Sequence, residues 1–148
     1  MNSKDYLNRA YRITELIGEN MQELKKLRQM KDNLPSSIGG GRRSNAENGA
    51  AYTRTVDRII DFENQIISEN AELLDIRIET RKRINRVANS NLNLILKKRY
   101  LQFMTFEAIA DEMNYSVRHV LRLHGQALAE FAKSNKDVIE CQPLDDVN

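Results

Sequence analysis

The sequence predicts an all-α protein: a long N-terminal antiparallel helical hairpin followed by a C-terminal helix-turn-helix module. Three observations carry this. Apolar residues recur at spacings of three and four along two long stretches. No stretch alternates with the period of a strand over a useful length. Residues Phe106 to Gly125, FEAIADEMNYSVRHVLRLHG, satisfy nearly every constraint of two short crossed helices joined by a tight turn.

The first long helix is expected over 4–33. Tyr6, Ala10, Ile13, Ile17, Leu24 and Leu27 form its stripe, with Asn20 interrupting the row and Leu7, Leu16, Met21 and Met30 widening it. Leu34-Pro35 ends it. The stretch over 34–51 holds Pro, Ser, a triple Gly and Asn-Gly, so a flexible loop is expected. Arg42 and Arg43 at its centre fit either a solubilising loop or a phosphate contact. The second long helix is expected over 52–87, with Tyr52, Val56, Ile59, Ile60, Ile66, Ile67, Leu73, Leu74 and Ile78 on its apolar side. Neither helix buries its stripe alone, so the two should fold back on each other over 1–88. The stripes are wider than one hairpin needs, which makes a homodimer through these helices the natural guess.

A polar break at Ala88-Asn89-Ser90-Asn91 opens the second module, expected over 89–134. Leu92, Leu94, Ile95 and Leu96 start a short helix that ends in Lys97-Lys98-Arg99-Tyr100. In the next two helices Ile109, Met113, Val120 and Leu123 fall at the buried positions, and Ala110 sits where the helices approach most closely. Asn114 stands at the turn position that needs a left-handed backbone, which Asn tolerates best after Gly. Thr105 and Ser116 are N-caps for the two helices. Residues 135–148 show no periodicity and should form a disordered acidic tail.

Composition excludes several classes. The 148 residues carry 30% charged and 41% hydrophobic side chains, with a formal net charge of +2. No apolar run is long enough to cross a bilayer. The opening segment is polar throughout, so secretion is not expected. The single Cys141 has no internal disulfide partner and suits a reducing, cytoplasmic setting. Between Arg77 and Arg99 stand eight cations (Arg77, Arg81, Lys82, Arg83, Arg86, Lys97, Lys98, Arg99) and one acid, Glu79. Such a run alone is as easily a solvated face. Directly before a helix-turn-helix it fits phosphate contacts, which hold a reading helix in register.

If the motif serves DNA recognition, side chains at the start of its second helix face base edges. Those are Ser116, Val117, Arg118, Leu121 and Arg122. Arg118 and Arg122 project from one face, and each can fork onto the two acceptors of guanine or grip phosphate only. Val117 and Leu121 suit thymine methyl groups or an extended core. Lys97, Lys98, Arg99, Thr105 and His119 are the candidate phosphate contacts. His119 and His124 have no Cys, Asp or Glu at ligand spacing, so no metal is expected. Gly125 within a helix suggests a close packing approach. No phosphate loop follows Gly39, since Lys and Ser/Thr are missing, and no nucleophile has a base partner. The expectation is therefore a non-enzymatic protein without a cofactor.

The stretch LILKKRYLQFMTFEAIADEMNYSVRHVLRLHGQALAEF is similar to region four of sigma-70-type factors. It resembles more closely the C-terminal part of small phage regulators of the RinA and ArpU type. The matching features are Arg99-Tyr100, Phe106-Glu107, Ile109-Ala110, Tyr115-Ser116, Val120 and Leu123-His124. The resemblance implies a phage or prophage transcription regulator, typically an activator of late genes, that binds double-stranded DNA and contacts RNA polymerase in a bacterial host. A sigma factor's promoter-melting region has no counterpart here. Two other readings compete: a phage DNA-packaging component of the small-terminase kind, and a helical protein-interaction adaptor.

Overall fold

The computed structural model describes residues 1–34 and 44–139, with the side chains of 44–48 left aside. Six helices occupy them: α1 (Ser3–Leu7), α2 (Arg9–Asn33), α3 (Ser44–Ile84), α4 (Ser90–Tyr100), α5 (Phe106–Met113) and α6 (Val117–Ser134). No strand occurs among the described residues, so the fold is all-α as expected. The chain divides into two compact units. One combines residues 1–12 with the chain from Leu73 onward; the other is residues 13–72.

The unit over 13–72 is an antiparallel helix pair. Asn20 meets Glu69 and Arg28 meets Glu63, so α3 recedes as α2 advances. Ile17, Asn20 and Leu24 of α2 and Ile59 and Glu69 of α3 are its buried residues. Spacings of three and four on α2, and of ten on α3, put them on one seam, as in a coiled coil. The Asn20 that interrupts the apolar row is thus itself in the seam. Its Nδ2 donates to both carboxylate oxygens of Glu69, at 3.0 and 2.9 Å, and Gln65 donates to the same carboxylate at 3.1 Å. A polar pair in an apolar seam is satisfied in one register only, because a slip of one turn would bury both groups without partners.

The other unit holds two adjoining cores. Tyr6 and Leu7 of α1, Ile84 of α3, Leu92, Leu96 and Tyr100 of α4, and Ala127 and Phe131 of α6 make the larger one. The smaller comprises Ile95, Ile109, Ala110 and Val120, with Met113 and Leu123 packed against it. Every position expected to lie between the two crossed helices is therefore in this core. Asn114 has φ 58° and ψ 40°, the left-handed conformation. The Tyr115 amide then donates to the Ala110 carbonyl at 2.9 Å. Thr105 Oγ accepts from the Ala108 amide at 3.2 Å, and Ser116 Oγ from the His119 amide at 3.1 Å. Both caps and the turn are as the sequence predicts. Phe103 also has a positive φ, 54°. Its ring meets Tyr11 edge-on at 5.6 Å, and the Arg77 guanidinium lies 5.7 Å away, so packing holds a conformation that an aromatic residue disfavours.

Several expectations need correction. The first helix is interrupted at Asn8, so 4–33 is not one rod. The second begins at Ser44 rather than 52 and ends at Ile84 rather than 87. Residues 44–51 are thus helical, not loop. Ala46, Ala50 and Ala51 favour helix enough to absorb Gly49, whose cost is about 1 kcal/mol. Thr53 and Thr55 also bond back to the carbonyls of Gly49 and Ala51. Residues 35–43 of the expected loop, with Arg42 and Arg43, lie outside the described residues. The division also falls elsewhere than 88/89, because α1 and the end of α3 pack with α4 and α6.

The tail is ordered at its start. Asn135 and Ile139 are buried. Asn135 Nδ2 donates to the carbonyls of Phe131 and Arg83, and Arg86 donates to its Oδ1 at 3.2 Å. Asp137 accepts from Arg83 at 2.8 Å and from Arg86 at 3.3 Å. The remaining tail, 140–148 with Cys141, lies outside the described residues.

Candidate functional site

The turn at Asn114 and the cap at Ser116 set where α6 starts, and Val120 and Ala127 anchor its inner face. The opposite face is open. Ser116, Val117, Arg118, Leu121 and Arg122 are all exposed, Leu121 at 48%. Ser116, Arg118, His119 and Arg122 line a shallow depression of about 510 Å³. All five expected base-facing residues are thus brought to one surface, and neither arginine is walled in.

Arg122 is held on that surface. Its Nη2 lies 2.9 Å from His119 Nδ1. A guanidinium only donates, so Nδ1 must accept and the imidazole proton must sit on Nε2. The His119 ring meets Tyr115 edge-on at 4.7 Å, which fixes its plane. His119 therefore positions Arg122, a role that residue spacing did not reveal. Its Nε2–H stays available as a donor.

The residues expected to contact phosphate divide. Lys98 is buried at 7% exposure, with Nζ 2.9 Å from Glu112 Oε1. It ties α4 to α5 and is not a surface cation, which corrects the sequence reading. Arg99 is half-buried; it donates to the Met104 carbonyl at 2.9 Å and covers the Phe106 ring at 4.2 Å. Its main work is to brace the α4–α5 connection. Lys97 is half-buried, and Thr105 is exposed at the start of α5. The wider cationic run is also partly consumed. Arg83 is engaged by Glu79 and Asp137, and Arg86 by Asp137 and Asn135. These contacts hold the Glu79 and Asp137 carboxyls below their usual range: a hydrogen bond from Tyr6 leads for Glu79, and one from Arg83 leads for Asp137.

His124 lies under this face rather than on it. Burial, then the positive charges of Arg99 and Lys4, lower its pKa to about 4. Burial raises the Tyr100 phenol to about 12. Both groups are thus neutral near pH 7, and the phenol oxygen and His124 Nε2 share a hydrogen bond of 2.8 Å. Gly125 follows on the exposed side of α6. A Cβ built there meets nothing within 4 Å, so the expected close packing is not present. No group of three or more His, Cys, Asp or Glu residues suited to a metal ion occurs among the described residues, and no described helix is long and apolar enough to cross a membrane.

The described residues thus form an all-helical protein in which α6 presents an exposed face that carries Arg118 and Arg122. The chain belongs to the family described as a protein of unknown function (DUF1492), which matches residues 34–132 and so takes in α3, α4, α5 and nearly all of α6. Neither the curated proteins nor the solved structures yield a match.

Proposed function

We propose that this protein is a sequence-specific DNA-binding regulator of transcription that lays α6, from Ser116 onward, in the major groove. The observation that supports this best is the open face of α6, with Arg118 and Arg122 four residues apart on a helix that a left-handed turn sets against α5. A recognition helix needs that combination of rigid mounting and free polar tips. Two arginines on one face suit guanine, whose N7 and O6 match the guanidinium fork. Thr105 at the start of α5 and the Nε2–H of His119 suit flanking phosphates.

The resemblance to RinA- and ArpU-type regulators makes a phage late-gene activator the particular form of this reading, with RNA polymerase as a second partner and the nucleoid of a bacterial host as its place of action. Self-association through the N-terminal helices would present two copies of α6 to paired half-sites. Selection from a pool of random duplexes tests the reading. One enriched motif containing guanine is expected. Equal recovery of all sequences, or no retention at low salt, would overturn it.

A further inference from the structure

Two apolar side chains stand uncovered on the open face of α6. Val117 is 36% exposed and Leu121 48%, and neither packs against the larger or the smaller core. They are therefore not an outward extension of the core. At 3.6 residues per turn, Val117 and Leu121 lie about 40° apart around the helix, and Arg118 and Arg122 form a second pair about 100° further round. The buried Val120, Ala127 and Phe131 lie on the far side of the apolar pair from the arginines. The outward face thus has two lanes, an apolar one next to the core and a cationic one beyond it. His119 borders the cationic lane on its other side.

We propose that the apolar lane, Leu121 above all, docks on the C5 methyl group of a thymine beside the guanine that the arginines fork onto. This rests on the DNA reading above and adds a second base to it. The chemistry of the groove selects the occupant. The cationic lane calls for a surface rich in acceptors, such as guanine N7 and O6. The apolar lane calls for an apolar group set within that same surface. The thymine methyl is the one such group that the base pairs present in the major groove; cytosine offers an N4 amino donor and no methyl. Along the helix axis Leu121 stands about 4.5 Å from Arg118 and about 1.5 Å from Arg122, close to one base-pair step, so methyl and guanine fall on neighbouring pairs.

The test takes the duplex motif that the full chain enriches and replaces each thymine singly by deoxyuridine, which lacks only the methyl. Equilibrium binding by the wild type should weaken about fourfold at one or two thymines next to the guanine, the share of one methyl removed from water. Leu121→Ala, a change at an exposed side chain, should bind the thymine and uracil duplexes equally. Cytosine at the sensitive position should weaken wild-type binding, and 5-methylcytosine there should recover about fourfold of that loss. The inference is overturned by a motif with no thymine beside its guanine, by wild-type binding indifferent to every deoxyuridine, by the same loss in Leu121→Ala, or by a 5-methylcytosine no better than cytosine. Each of those leaves the guanine reading standing. A full chain that retains no duplex overturns both.

Discussion

Replacing Asn20 by Leu separates the two consequences of a buried polar pair. The amide makes two hydrogen bonds to the Glu69 carboxylate, at 3.0 and 2.9 Å, and Glu69 is only 8% exposed. Removing the donor leaves the carboxylate in the seam with the Gln65 amide alone. Leaving a buried carboxylate short of its main donor costs about 3 kcal/mol, and the new leucine returns about 1 kcal/mol of apolar burial. Asn20→Leu should therefore destabilise by about 2 kcal/mol. Glu69→Leu strands a neutral amide instead and should cost about 1 kcal/mol. Asn20→Leu/Glu69→Leu leaves two leucines in an apolar seam and should be at least as stable as the wild type. The cycle thus predicts a coupling of about 3 kcal/mol, read from urea midpoints by circular dichroism at 222 nm. Additive losses would refute the reasoning, because they would mean that neither group depends on the other.

Four further outcomes follow from the same structure. His124 has a folded-state pKa of about 4 against an ordinary 6.5, so the unfolded chain binds the extra proton first. Its contribution is complete above pH 6.5 and is lost as pH falls from there to about 4, by roughly 2–3 kcal/mol; urea titrations should show that slope, and Tyr100→Phe/His124→Leu should abolish it. Asn114→Gly should leave the melting temperature nearly unchanged, whereas Asn114→Val should cost about 1–2 kcal/mol at a left-handed residue. Gly125→Ala, with open space around the new methyl, should stabilise by about 0.5–1 kcal/mol in thermal melts. Lys98→Ala should lower stability and leave the salt dependence of DNA binding alone, while Lys97→Ala should reduce the logarithmic salt slope by about one.

The legible features are those set by neighbours in sequence. Thr105, Asn114 and Ser116 act on backbone within a few residues, so their spacing alone identified two caps and a turn. Ala110, Val120 and Leu123 followed from helical period. Side-chain fates set at long range were not legible. Lys98 and Arg99 look alike as cations in sequence, yet Glu112 claims one and a carbonyl and an aromatic face claim the other. Arg83 and Arg86 are claimed by a tail whose order rests on Asn135, a polar residue that composition assigns to solvent. The Val138-Ile139 pair was the one available hint of an anchored tail. Asn20 was visible as an interruption, but its partner stands 49 residues away. The early start of α3 was hidden because Asn-Gly outweighed the alanines around it.

The central claim is that the outward face of α6 reads bases. Equilibrium binding of wild type and Arg118→Ala to the selected site and to random duplex of equal length tests it most directly. The account predicts a loss on the selected site larger by about 1–3 kcal/mol than the loss on random duplex, since a guanine fork discriminates by that much. Equal losses on both duplexes, or none on either, would contradict it.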